Sequence, residues 1–127
     1  VDLVRGDVRS PPIGSVDGVL ATFVVTLFDD PAAVVETWWE LLEPGGRLAM
    51  LNVGPIRGTL GRWVNPALQV GLWLSTPTAD RLDDDLVGVL HERVMAAHER
   101  LADRAVHVEY EEHAGLVRLV IGTKAVT

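Results

Sequence analysis

The groups in this chain that could do chemistry are a pair of histidines and a few polar residues at the ends of apolar runs. His91 and His98 are seven residues apart, two helical turns, and two imidazoles on one helix face are half of a metal site. The sequence does not supply the other half. HERVM at 91–95 is not H-E-x-x-H, and HERLA at 98–102 has no further histidine one turn on. No metal is expected. Asp83, Asp84 and Asp85 precede a periodic apolar stretch, where carboxylates suit the positive end of a helix better than they suit a cation. Asn52 closes the apolar run 47–53, and a buried amide at a strand end needs a partner, either a ligand or the turn that follows. Thr22 and Phe23 end another run, at the strand edge where open α/β sheets take their ligands, although Phe23 serves equally well as core. Asp7, after VDLVR, is on its own a turn former.

Other chemistries lack their residues. Gly54, Gly58 and Gly61 are wrongly spaced for G-x-G-x-x-G, and neither a G-K-[ST] phosphate loop nor a G-x-S-x-G elbow occurs. The absence of cysteine removes disulfides, thiolate nucleophiles and cysteine metal sites together. His107, Tyr110 and His113 read as structural or exposed.

These groups are positioned by one βαβ unit over residues 17–53. Val19, Leu20, Phe23, Val24 and Val25 form a nearly continuous apolar run, which predicts a strand covered on both faces. Asp29 or Asp30 caps the helix that follows, and Pro31 suits its first turn. Positions 34, 35, 38, 41 and 42 recur at helical spacing, and Pro44-Gly45-Gly46 ends the helix and reverses the chain into a second strand at 47–53. Residues 1–5 read as a strand and 10–15 as a loop. In 54–74, Trp63, Ala67, Val70 and Trp73 share a helical face interrupted by Pro66, and the run is too short to span a bilayer. A helix follows with Leu86, Leu90, Val94, Ala97 and Leu101 as its stripe, and 105–112 and 116–123 form an antiparallel hairpin.

At 127 residues the chain is one domain at most, and a hydrophobic content of 48% argues against disorder. A net charge of −7 argues against a surface that tracks nucleic acid or anionic lipid, so no nucleic-acid partner is expected. Without a signal peptide or membrane span, a cytoplasmic protein is expected.

The run VDGVLATFVVTLFDDPAAVVETWWELLEPGGRLAML resembles the middle of the class I S-adenosylmethionine-dependent methyltransferases, with L-x-P-G-G-x-L its most specific part. The closing hairpin with Gly122-Thr123-Lys124 is a second point of similarity. The resemblance implies an α/β fold: a Rossmann-like, mostly parallel sheet with a C-terminal antiparallel hairpin. It also implies a domain incomplete at its N-terminus, because the family's glycine-rich cofactor loop would precede Val1. Residues 1–127 would then be a partial methyltransferase domain with a helical insertion at about 54–82. The family's strand order, 3-2-1-4-5-7-6, would leave 4-5-7-6 contiguous here and the strand at 19–25 as an apolar edge. A missing N-terminal segment, residues 1–5, a dimer mate or another partner would cover that edge.

By the same resemblance the cofactor is S-adenosylmethionine. Asp7 and Val8 would meet its adenine, Thr22 and Phe23 its methionine part, and Thr26 and Asn52 a small-molecule acceptor. Thr26 stands where some relatives carry histidine, which removes an obvious general base. Two functions follow: methyl transfer to a small molecule, or a non-catalytic half-domain used for assembly or dimerisation.

Overall fold

The computed structural model describes residues 1–53 and 86–127; the expected insertion at 54–82 and the aspartates at 83–85 lie outside them. The described elements are β1 (Val16–Thr22), a 3-10 turn (Val25–Leu27), α1 (Pro31–Leu41), β2 (Leu42–Val53), α2 (Leu86–Arg104), β3 (His107–His113) and β4 (Val117–Thr123). The four strands form one sheet in the order β1-β2-β4-β3. β1 pairs parallel with β2, while β4 runs antiparallel to both of its neighbours. Three strands therefore share a direction and β4 opposes them, the order that the family resemblance implies.

Local chemistry accounts for each junction. Asp30 caps α1 by accepting the Ala33 N–H at 3.0 Å, with Pro31 as the first helical residue. At the other end of α1, Lys124 Nζ donates to the carbonyls of Trp39 and Leu42 at 3.1 and 2.7 Å, so a cation sits where the helix leaves its carbonyls unpaired. The chain then turns through Gly45, whose φ of +80° only glycine adopts easily. Gly46 answers a different need. A Cβ there would lie 2.8 Å from the Glu43 carbonyl oxygen and 2.9 Å from that of Asp17. This corner loops out of the β1–β2 pairing, which shifts register between Val16 and Gly18. The β3–β4 hairpin turns through Ala114 and Gly115, at φ 53° and 66°, two successive left-handed residues whose twist matches that of the strands.

Leu48 and Met50 on β2 and Val120 on β4 share one face of the sheet and are buried with Trp38 and Trp39 of α1 and Val94, Ala97 and Leu101 of α2. Gly122 lets α2 approach β4, because a Cβ would fall 2.6 Å from Leu101 Cδ1.

Three expectations need correction. Residues 1–5 form no strand, since a strand without a neighbour to complete its ladder has nothing to hold it extended. β1 starts at Val16 and ends at Thr22; Val24 and Val25 have already left it, because Phe23 adopts a left-handed φ of 56° and directs the chain into the 3-10 turn. β1 is also not covered on both faces. Leu20 remains 68% exposed, and on the same face Ala49, Leu51, Leu119 and Ile121 are only half-buried.

Replacing Lys124 by Met keeps the aliphatic stem but removes two charge-assisted bonds. The expected loss is about 1–3 kcal/mol in urea unfolding. Gly46→Ala is expected to cost about 1–3 kcal/mol or more in the same measurement, because backbone carbonyls cannot yield as a side-chain tip would.

Candidate functional site

An open cleft of about 460 Å3 runs beside β1, the edge strand of the sheet. Asp7, Val8 and Ile13 of the N-terminal loop form one wall, Ala21 and Thr22 of β1 another, and Trp38 of α1 belongs to the lining. Its walls are mostly apolar, with the Asp7 carboxylate among them.

The loop has a shape of its own despite lacking helix and strand. The Ser10 N–H donates to the Asp7 carbonyl at 3.0 Å, and the Arg9 N–H donates to Asp7 Oδ1 at 2.9 Å, an aspartate-centred turn. Arg9 also lays its guanidinium on the Asp7 carboxylate, Nη2 to Oδ2 at 2.7 Å. The side-chain and backbone hydrogen bonds from Arg9 hold the Asp7 carboxyl down at about 2, so it is ionised at any neutral pH. Gly6 and Pro12 touch where the loop closes, and a Cβ on Gly6 would meet Pro12 Cδ at 2.5 Å. The Val8 carbonyl accepts the Trp38 indole N–H at 2.7 Å, which joins the loop to α1.

At the carboxyl end of β1, the Phe23 N–H still donates to the Leu51 carbonyl at 2.8 Å, and the side chain is about half exposed. A left-handed conformation in a residue other than glycine is uncommon and costs energy. Thr26 lies in the 3-10 turn, where its carbonyl accepts from Arg93 of α2 at 2.7 Å; Arg93 also pairs with Asp29 at 2.8 Å. Phe23 and Thr26 are not among the residues that line the cleft.

Asn52 lies at the same end of the sheet but faces α2, where it is buried at 2% exposure. Its Nδ2 is 3.4 Å from His98 Nε2, and its Oδ1 is buried without a hydrogen-bond partner among the described residues. His98 meets the ring of Tyr110 edge to face, with centroids 6.5 Å apart. Burial, then the charge of Arg118, then His91 push the His98 imidazole down to about 4, so at neutral pH it is uncharged and Nε2 is free to accept from Asn52. Arg118 is itself buried and pairs with Glu112 at 3.4 Å. The structure thus brings Asp7, Val8 and Thr22 to one cleft and sets Asn52 against His98 on the helix side of the sheet.

Residues 1–50 match the family model described as a methyltransferase domain. That stretch contains the loop, β1, α1 and the Gly45-Gly46 corner. Among solved structures the chain is similar to the CMeT domain of the citrinin polyketide synthase, at 17% identity and a TM-score of 0.54 over 94% of this chain and 31% of that one. That similarity is one of fold. A possible exported protein from Bordetella parapertussis is similar at 21% identity and a TM-score of 0.50, over 95% of this chain and 43% of that one. An O-methyltransferase family protein from Burkholderia thailandensis matches at 21% identity and a TM-score of 0.48, over 94% of this chain and 33% of that one. The chain therefore spans between about a third and under half of the length of these structures. No curated protein matches it. Among the described residues no helix is long and apolar enough to cross a membrane.

Helical phase marks Trp38 only as core, and no sequence signal places it beside the N-terminal loop. His98, weighed with His91 for a metal, is turned toward Asn52. One consequence is measurable. The unfolded chain protonates His98 near 6.5 and the folded chain only near 4, so folding stability falls as pH drops through that interval. His98→Gln is expected to flatten this part of the acid limb in thermal melts between pH 7 and 4.5. An unchanged limb would mean that His98 is not held neutral.

Proposed function

We propose that this chain serves methyl transfer from S-adenosylmethionine to a small-molecule acceptor, and that the cleft beside β1 receives the adenosine part of the cofactor. The observation that carries this reading is the juxtaposition of an ionised carboxylate, Asp7, and the Val8 backbone with apolar walls from Ile13, Ala21 and Trp38 in one open cleft. Those residues fit an adenine: the carboxylate accepts from an exocyclic amine, a backbone amide meets a ring nitrogen, and apolar walls take the ring faces. The match of residues 1–50 to a methyltransferase domain supports the same assignment.

When bound, S-adenosylmethionine supplies a methyl group on a sulfonium sulfur. The chain's own residues bind and orient, and such catalysis rests on proximity and alignment rather than on a fixed acid or base. Thr22 stands at the strand end beside the cleft, and the left-handed turn at Phe23 carries the following residues out of the sheet plane. Asn52 and Thr26 are our candidates for orienting the acceptor. Asn52 Oδ1, without a hydrogen-bond partner among the described residues, suits an acceptor that donates a hydrogen bond, such as a hydroxyl or an amine. His98, held neutral well below physiological pH, fixes the amide rather than taking a proton.

The second reading, a half-domain used for assembly, is favoured by one observation: Leu20 of the edge strand is 68% exposed.

Titration calorimetry of the native chain and of Asp7→Ala with S-adenosylhomocysteine decides between them. Binding that weakens roughly ten-fold or more in the variant supports the cofactor site, as expected for loss of a charge-assisted hydrogen bond. A well-folded native chain that gives no heat, and that dimerises with concentration in sedimentation, supports assembly instead.

A further inference from the structure

We infer that Trp38 is the positioning residue of the cleft: its indole N–H fixes the Val8 carbonyl and so determines where Asp7 and Val8 stand for the ligand. This rests on the cofactor reading above. The N-terminal loop has no helix or strand to hold it, so its place on the molecule must come from tertiary ties. Inside the loop the bonds are local, from Ser10 and Arg9 back to Asp7. Among the described residues, the loop is tied to the rest of the fold by the bond from Trp38 at 2.7 Å and, next to β1, by one from Ser15 Oγ to Glu43 Oε1 at 2.9 Å; the first holds the part that carries Asp7 and Val8.

Trp38 is well suited to hold that bond in place. It is 5% exposed, its ring meets Phe28 edge to face with centroids 6.1 Å apart, and the helix that carries it is fixed at one end by Asp30 and at the other by Lys124. A donor on a rigid element sets a position, whereas the loop's internal bonds set only a shape. The carbonyl that Trp38 holds belongs to the residue directly after Asp7. If the peptide after Val8 swings, the Asp7 carboxylate and the Val8 N–H move with it relative to β1.

The test uses Trp38→Phe, which fills most of the indole volume and removes the N–H. Two readouts are taken on the full chain. Amide hydrogen exchange without ligand is expected to accelerate at Arg9 and Ser10 while the β2 and β4 amides keep their native protection. Calorimetry with S-adenosylhomocysteine is expected to give an affinity about five-fold weaker, the weight of one hydrogen bond, with thermal unfolding close to native. Unchanged exchange at Arg9 and Ser10 together with unchanged affinity would overturn the proposal. Faster exchange in a series whose native chain binds no S-adenosylhomocysteine would uphold the anchor and sink the cofactor reading. Should the variant unfold, the native chain alone still decides. With 15N-labelled tryptophan, the Trp38 indole N–H is expected to be protected from exchange without ligand and more strongly protected with it; an indole that exchanges like an exposed one overturns the anchor.

Discussion

The corner between α1 and β2 is the constraint on which the rest of the described structure depends. A helix running into a parallel strand must end abruptly, satisfy its last carbonyls and reverse within a few residues. Here the means come from the far end of the chain. Lys124 places its ammonium on the Trp39 and Leu42 carbonyls, its N–H donates to the Gly46 carbonyl at 2.9 Å, and the Ala125 carbonyl accepts from Gly45 at 3.1 Å. Removing that brace would leave a helix C-terminus facing the sheet with unpaired acceptors, which is costly in an apolar setting. With it, α1 has one orientation, and Trp38 therefore reaches Val8. The geometry of the cleft is thus inherited from a lysine that does not line it.

What was legible in the sequence was local or periodic. Asp30 and Pro31 announce a helix start because a cap and a missing N–H act within one turn, and Pro44-Gly45-Gly46 announces a corner because one glycine needs a left-handed φ and the next a vacant Cβ position. The strand order followed from the family resemblance, and the closing hairpin from alternation and a glycine turn. What was illegible depended on partners distant in sequence. The Trp38–Val8 bond spans 30 residues, the Asn52–His98 contact 46, and the Lys124–Trp39 bond 85. No pattern of residue types encodes such pairings. The strand expected at 1–5 failed for a related reason, since apolar alternation states what a segment would do beside a partner and does not supply one.

The polar groups around Asn52 sit oddly in an interface that is otherwise apolar. Burying an imidazole, an amide and a guanidinium on the helix side of the sheet costs solvation that the pairing of Arg118 with Glu112 helps to offset. His98 meets the cost by giving up its proton, which turns a repelled cation into an acceptor for Asn52. The amide is then held by its nitrogen, and among the described residues its oxygen has no hydrogen-bond partner.

The cleft and the open edge of β1 are one surface, and this links the two functional readings physically. Ala21 and Thr22 line the cleft, and among the described residues β1 is also an edge strand of the sheet. A chain that paired along that edge would satisfy the free backbone groups and cover Leu20, but it would also occupy space beside Val19 and Leu20 that now belongs to the cleft. A ligand in the cleft, as proposed, would compete with such a strand, and each would disfavour the other by linkage. Asp7, Val8 and Trp38 lie across the cleft from the strand, where edge pairing does not displace them. Binding that depends on those three residues therefore reports on the ligand, and self-association that depends on Leu20 reports on the edge.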